Sequence, residues 1–164
     1  MSPDYSTLDI ESRAEQAVTF FKSGYNCAQS VYMAYADLFD MDPKTAAIIA
    51  APLGAGMGRM REVCGTVSGA ALVAGLAIPC VDPHDLDPKT RCYSLVQQVA
   101  ERFRQENGSI ICRELLGVAP TKESPIPSPR TESYYKKRPC VELVRMSATF
   151  TGEALKQFES FTNQ

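Results

Sequence analysis

Hydrophobic residues recur every three or four positions along most of this 164-residue chain, which is the period of an α-helix. The first such stripe lies in the segment 9–23 and ends before Gly24, a residue type that often caps helix C-termini. Asn26 and the pair Asp42-Pro43 are typical helix starts, so they predict a second helix to about residue 39 and a short third one. We find no strand-like alternation of useful length. The pattern therefore predicts an all-α fold.

The segment 62–78 consists largely of glycine, alanine, serine and valine. Residues this small allow a neighbouring helix to approach closely, so the segment is expected to form the buried central helix. Gly65 and Gly69 are four positions apart and share one face of that helix. The preceding segment 53–59 has three glycines within five residues, which predicts an irregular loop whose backbone lies close to another group.

The second half of the chain also carries helical signals. A long helix is predicted from Asp87-Pro88 to about Glu106, and a last one from about residue 139 to 158, with Gly152 as an expected break. Four prolines in the segment 118–137 predict an extended surface excursion. We therefore expect one domain over residues 1–164, a helical bundle of about six helices.

Composition and charge narrow the function classes. The net charge is −2, and no basic stripe favours binding to nucleic acid. The longest apolar stretch, 63–79, is interrupted by glycine and serine and is shorter than the roughly 20 residues of a membrane span. The chain begins without a charged leader followed by an apolar segment. We expect a cytoplasmic protein with no nucleic-acid and no membrane partner.

Four of the six cysteines each precede a predicted helix: Cys27, Cys64, Cys112 and Cys140. A helix start carries unpaired N–H groups and partial positive charge, which can lower a thiol pKa from about 8.5 into a range of about 3.5–7.5. Clusters of cysteines in cytoplasmic proteins are more often catalytic, redox-sensing or metal-binding than structural. Because no Cys-x-x-Cys pair occurs, any shared site must be assembled by the fold.

Cys64 has the most promising neighbours of the four. Arg59 and Arg61 lie just before it and are expected to lower its pKa further, while Ser68 lies one helical turn later and could donate a hydrogen bond to its sulfur. We therefore predict that Cys64 is the most reactive thiol. Cys92 falls on an apolar helix stripe and is expected to be buried and inert, and Cys80 follows a helix C-terminus that does not favour an anion, so both are excluded from the site.

The motif around the central helix resembles a known family. The segment Cys64-Gly65-Thr66-Val67-Ser68-Gly69 is similar to the Cys-Gly-Ala-x-x-Gly core of the C_GCAxxG_C_C family, with Thr66 in place of alanine. The flanking cysteines of the family match Cys27 in Gly-Tyr-Asn-Cys-Ala-Gln, Cys112 in Cys-Arg-Glu-Leu-Leu-Gly and Cys140 in Cys-Val-Glu-Leu-Val. The resemblance runs from about residue 18 to 144 and implies a redox role for the four cysteines.

Three functions remain open at this point. The first is a thiol-dependent oxidoreductase or electron-transfer protein that forms one or two disulfides among the four cysteines and works with an unidentified redox partner. The second is a protein that uses the same four thiolates as ligands for an iron–sulfur cluster or another metal. The third is a non-enzymatic accessory or binding module with structural cysteines. The sequence identifies no cofactor, leaves the disulfide pairing open and is compatible with a homo-oligomer.

Overall fold

The computed structural model describes the backbone of residues 3–162 and the side chains of residues 3–159. Eight α-helices and no strand occur in this part of the chain, which confirms the all-α prediction. The helices are α1 (Ile10–Lys22), α2 (Cys27–Ala36), α3 (Pro43–Ala50), α4 (Gly65–Ala77), α5 (Leu86–Asn107), α6 (Cys112–Leu116), α7 (Glu132–Lys137) and α8 (Cys140–Thr162).

Polar side chains begin the first three helices where the sequence places them. The Asp9 carboxylate accepts a hydrogen bond from the Ser12 N–H at the start of α1, and Asp42 does the same for Thr45 in α3. At the start of α2, Asn26 and Gln29 form a reciprocal capping box. The capping box fixes the direction of the first turn of α2, where Cys27 lies.

Helix α4 is central, as its composition predicts. It packs against α2, α5 and α8, and most of its small side chains are buried. A side chain at Gly69 would place its Cβ only 2.7 Å from the Ala28 carbonyl oxygen of α2. Glycine at this position therefore allows the backbones of α2 and α4 to approach closely.

Residues 118–131 are extended and mostly exposed, as predicted, whereas residues 132–137 form the short helix α7. With α6, which lies where the sequence also predicts a short turn of helix at 112–116, the count in the described residues is eight helices rather than about six. Helix α7 begins where the Thr131 side chain accepts a hydrogen bond from the Tyr134 N–H. Tyr134 and Tyr135 pack against the hydrophobic core. The prolines end before this capping signal, so they do not prevent a final helical turn.

The break expected at Gly152 does not occur, and α8 continues through this residue. The reason is packing. The Tyr35 hydroxyl donates a hydrogen bond of 2.6 Å to the Ala148 carbonyl, and a Cβ at Gly152 would lie 2.5 Å from that hydroxyl. Within the described residues, no helix combines the length and the hydrophobicity that crossing a membrane requires.

Candidate functional site

All four cysteines of the sequence motif line one cavity of about 340 Å³. Cys64 and Cys112 are buried, with 5% and 7% of their surface exposed, whereas Cys27 and Cys140 are half-buried. Cys27, Cys112 and Cys140 are the first residues of α2, α6 and α8, and Cys64 is the N-cap of α4. All four are free thiols. Four helix starts therefore meet at a single cavity, although the cysteines are spread over more than a hundred positions of the chain.

Cys64 and Cys112 are held by a short backbone clamp. An isolated antiparallel bridge pairs Val63 with Ile111. Around it, the Cys64 N–H donates to the Ile110 carbonyl at 2.7 Å, and the Cys112 N–H donates to the Glu62 carbonyl at 2.6 Å. These bonds satisfy the first N–H groups of both helix starts and fix the two cysteines relative to each other.

Glycine at position 65 makes room for the Cys27 thiol. A Cβ at Gly65 would lie only 2.4 Å from the Cys27 sulfur. The Ala55 backbone N–H also donates a hydrogen bond to this sulfur. The glycine-rich loop 53–59 is predicted to lie close to another group, and that group is the Cys27 thiol.

That loop has a left-handed backbone. The segment Gly54–Met57 forms a turn in which Ala55 has φ +54° and Gly56 has φ +68°. Arg59 and Arg61 are also left-handed, at φ +67° and +60°, a conformation that side chains of L-residues rarely adopt. Backbone of this kind persists only where its surroundings hold it, and it is found most often at functional sites.

Thr66, rather than Ser68, contacts the Cys64 sulfur. The Thr66 Oγ1 lies 3.1 Å from the Cys64 Sγ, within hydrogen-bonding distance, and Thr66 itself is 1% exposed. The suggested bond from Ser68 to this sulfur is therefore wrong. Position 66 is where the chain departs from the family motif, so the departure adds a hydroxyl to the site.

Arg61 supports a different thiol from the one predicted. This arginine is 4% exposed, forms an ion pair with Glu123 and directs its Nη1 to the Cys112 sulfur at 3.7 Å. Arg59 donates to the Ser124 carbonyl at 2.8 Å. The assignment of both arginines to Cys64 is wrong, because the left-handed loop turns their side chains toward α6 and the segment 118–137.

The sequence reasoning missed Arg130. Its guanidinium lies 4.4 Å from the centre of the Phe21 ring and donates to the Phe21 carbonyl at 3.1 Å. Arg138, which precedes Cys140, lies 4.5 Å from the centre of the Tyr134 ring. Both arginines line the cavity. The available signal for Arg130 was its position directly after Pro129, because prolines favour a fixed path of the chain across the surface.

Burial dominates the acidity of the thiols. It raises the pKa of Cys64 to about 12 and that of Cys140 to about 11, and the neighbouring Cys27 thiol opposes ionisation of both. Burial also raises the pKa of Cys27, although the Ala55 N–H partly offsets this effect. The predicted lowering is therefore wrong for these three thiols, since the cost of removing a thiolate from water exceeds the stabilisation from a helix start. At neutral pH they are uncharged.

Cys27 occupies the electrostatic centre of the group. A charge on Cys27 interacts with charges on Cys64, Cys112 and Cys140. Cys112 also interacts with the other three thiols, but its effect on Cys64 and on Cys140 is smaller than that of Cys27, so Cys27 is the stronger electrostatic neighbour of both.

The other two cysteines lie outside the cavity. Cys80 is exposed, and Cys92 is half-buried rather than buried as predicted. Their thiols are hydrogen-bonding neighbours, a contact that the sequence did not reveal because the two residues belong to different elements.

The chemistry of the four thiols and their arrangement in space lead to different conclusions about metal binding. Four thiols suit an iron–sulfur cluster chemically. Within the described residues, however, no three side chains of the types His, Cys, Asp or Glu stand in an arrangement that could hold a metal ion. The cavity therefore does not fit a preformed metal centre.

Comparison with known families identifies the chain's relatives. Residues 25–154 match the family described as "Putative redox-active protein (C_GCAxxG_C_C)". The match covers most of the 164 residues, so the chain belongs to this family, and the resemblance seen in the motif is confirmed. Comparisons with curated proteins and with solved structures give no match.

Proposed function

We propose that this member of the C_GCAxxG_C_C family is a thiol–disulfide redox protein that uses Cys27, Cys64, Cys112 and Cys140. The observation that carries the proposal is the meeting of the four thiols at one cavity. Thiols that share a cavity can exchange disulfide bonds with one another and with a substrate disulfide that enters it. Membership of a family described as redox-active agrees with this chemistry.

Cys112 is the attacking thiol in this proposal. Its sulfur is the one that receives an N–H from a guanidinium, that of Arg61. A cationic donor stabilises the negative charge that sulfur carries when it attacks. Glu123 holds Arg61 in place from the opposite side through an ion pair.

Cys27 completes the reaction. The Cys112 sulfur attacks a substrate R–S–S–R, forms a mixed disulfide and releases one R–SH. The Cys27 sulfur then attacks the Cys112 side of the mixed disulfide, forms the Cys27–Cys112 bond and releases the second R–SH. The two thiol protons of the protein leave on the two R–SH molecules, so the protein is oxidised by two electrons and the substrate is reduced by two.

The central place of Cys27 gives Cys64 and Cys140 a role in the same chemistry. Both interact electrostatically with Cys27, so either sulfur can displace Cys112 from the Cys27 disulfide by exchange. Such an exchange would free Cys112 for a second turnover and, when Cys64 is the attacking thiol, would store the oxidation in a Cys27–Cys64 disulfide. Burial of Cys64 then protects the stored disulfide from solvent thiols.

Disulfide mapping after equilibration in glutathione redox buffers tests the proposal. We expect a Cys27–Cys112 disulfide to form in the wild-type protein, and we expect Cys27→Ser to lose most of the disulfide within the cavity. Cys92→Ser is the control, and it should leave the cavity disulfide unchanged. The proposal is wrong if the four cavity thiols of the folded protein stay free under oxidising conditions that oxidise thioredoxin-like dithiols.

A further inference from the structure

We infer that the substrate of this cavity is a small disulfide that carries negative charge, such as one with terminal carboxylates. The inference rests on the proposed redox function and adds the charge and size of its substrate. It begins from the lining of the cavity, in which four side chains are arginines and none is aspartate or glutamate among the described residues: Arg59, Arg61, Arg130 and Arg138.

Most of this positive charge has no carboxylate partner. Arg61 pairs with Glu123, whose pKa is held low by Arg61 and, more weakly, by Arg59 and Arg138. One carboxylate balances one guanidinium. Among the described residues, no second carboxylate forms an ion pair with a cavity arginine, so three of the four guanidinium groups have no carboxylate partner.

The remaining contacts of these arginines are neutral. Arg59 donates to the Ser124 carbonyl and to the Ser128 hydroxyl, at 2.8 and 3.2 Å. Arg130 donates to backbone carbonyls and stacks on aromatic rings, and Arg138 stacks on Tyr134. Carbonyls and ring faces orient a guanidinium, but they leave its net charge in place. The cavity is therefore preorganised for an anion.

The charges also lie where the sulfurs react. Arg61 contacts the Cys112 sulfur, and the charges of Arg138 and Arg130 act on Cys140. Three of the thiols do not neutralise these cations at neutral pH, because burial raises the pKa of Cys27, Cys64 and Cys140 and keeps them uncharged in the folded protein. A disulfide with a carboxylate on each side would place negative charge beside the arginines and its sulfur–sulfur bond beside the thiols.

Apolar residues limit the rest of the substrate. Leu115, Leu116 and Leu143 line the same cavity, together with Pro125 and Pro127 from the segment 118–137. A volume of about 340 Å³ is at the small end of ligand sites in proteins. The cavity suits a compact organic anion with a short apolar middle and excludes a folded protein domain.

Cys80, which lies outside the cavity, is an internal control for the effect of local charge on thiol reactivity. Cys80 lies at the start of an exposed loop that carries Asp82 and Asp85. Negative charge near this thiol disfavours an anionic disulfide. The preference of the cavity for anions should therefore be absent or reversed at Cys80 in the same molecule.

Three small symmetrical disulfides of similar length provide the test: dithiodiglycolate with two negative charges, bis(2-hydroxyethyl) disulfide with none, and cystamine with two positive charges. The rate at which each one oxidises the cavity thiols is measured by quenching and peptide mapping. We expect dithiodiglycolate to react on the order of tenfold faster than the neutral disulfide, and cystamine to react slowest. High salt should reduce these differences because it screens charge.

Arg130→Gln should weaken the preference for the anion, and Arg138→Gln serves as a second variant if the loss of Arg130 prevents folding. Arg102→Gln is the matched control, since Arg102 pairs with Glu153 on the surface and does not line the cavity. A second readout needs no redox step. Adipate, in which two methylenes replace the two sulfurs of dithiodiglycolate, should bind the reduced protein in calorimetry and bind Arg130→Gln more weakly.

The outcomes separate the two proposals. If the cavity thiols react with all three disulfides at equal rates and adipate does not bind, the inference about charge is wrong and the redox function stands. If none of the disulfides oxidises the cavity thiols while adipate binds, the redox function is wrong and the anion site stands. A charge preference that is the same at Cys80 as in the cavity would also overturn the inference.

Discussion

Thiols lie at both ends of the central helix α4, in opposite surroundings. Cys64 caps the N-terminal end inside the cavity, whereas Cys80 follows the C-terminal end and contacts Cys92 of α5. With 13 residues, α4 is about 20 Å long, so the two thiol groups are too far apart for direct exchange. The cavity thiols and the pair Cys80 and Cys92 must therefore undergo thiol–disulfide exchange separately.

The two sets differ in enclosure and in charge. At the cavity, four arginines and a left-handed loop enclose the sulfurs. At the other end, the Cys80 thiol is exposed, donates to the Ile78 carbonyl at 3.3 Å and precedes an acidic loop. Burial and the nearby Cys80 raise the pKa of Cys92. Adjacent thiols alone therefore do not define a redox site, because what a thiol reacts with depends on the access and the charge around it.

The largest expected difference between the two ends is in the rate of alkylation. At pH 7 we expect iodoacetamide to modify Cys80 about 100-fold faster than Cys64, because Cys64 is buried and its raised pKa leaves almost no thiolate. The rates can be measured by mass spectrometry of the reduced, folded protein. Faster labelling of Cys64 would mean that its sulfur is reached through the cavity, and the contrast between the two ends would be lost. In urea, both rates should become similar.

Substitution of two glycines, one near each end of α4, tests the comparison through the free energy of unfolding. Gly65→Ala should destabilise the protein by about 1–3 kcal/mol, because the new Cβ would lie 2.4 Å from the Cys27 sulfur. Gly75→Ala is the matched control near the other end of the helix, where no atom lies within 4 Å of the new Cβ. Alanine there should stabilise the helix by about 0.5–1 kcal/mol. Urea unfolding of both variants under reducing conditions measures the two effects, and equal changes would contradict the packing described for Cys27.

The pH dependence of stability gives the smallest expected effect. The pKa of Cys64 is raised to about 12 in the folded protein, above an unfolded value of about 8.5. Its contribution to stability is therefore complete below pH 8.5 and is lost as the pH rises toward 12. One pH unit above 8.5 the loss is about 1.4 kcal/mol for this thiol.

Urea unfolding between pH 8 and 9.5, in the presence of a reductant, measures this slope below the range in which most tyrosines ionise. Cys64→Ala should reduce the slope by the share of this thiol, since the raised pKa values of Cys27 and Cys140 also contribute to it. Gly75→Ala, which changes no ionisable group, should leave the slope unchanged. If the Cys64→Ala variant keeps the full slope, the ionisation of Cys64 does not control stability in this range.

Local sequence signals were sufficient for most of the helices. Asp9, Asn26 and Asp42 cap helices because the capping bond needs only residues within the same turn. The small-residue composition also identified α4 as central, since only small side chains permit such close packing with α2. Helix α7 was missed because its N-cap, Thr131, directly follows a proline-rich run.

The candidate site was predicted less completely. The sequence identified the four cysteines, but it assigned Arg61 to Cys64 and not to Cys112, suggested Ser68 in place of Thr66, and did not identify Arg130 at all. The contacts of Arg61 and Arg130 join residues that are far apart in the sequence, whereas Thr66 lies within the motif, two positions after Cys64. For Arg61 the decisive feature is a left-handed φ, which no neighbouring residue makes necessary.

The sequence by itself determined where the helices start and therefore that each of the four cysteines lies at a helix start. Only the tertiary structure decided that these starts face one cavity and that burial makes three of the thiols weaker acids. A capping bond acts over one turn and can be recognised from adjacent residues. Desolvation depends on every element that covers the thiol, and in this protein those elements come from the whole length between α2 and α8.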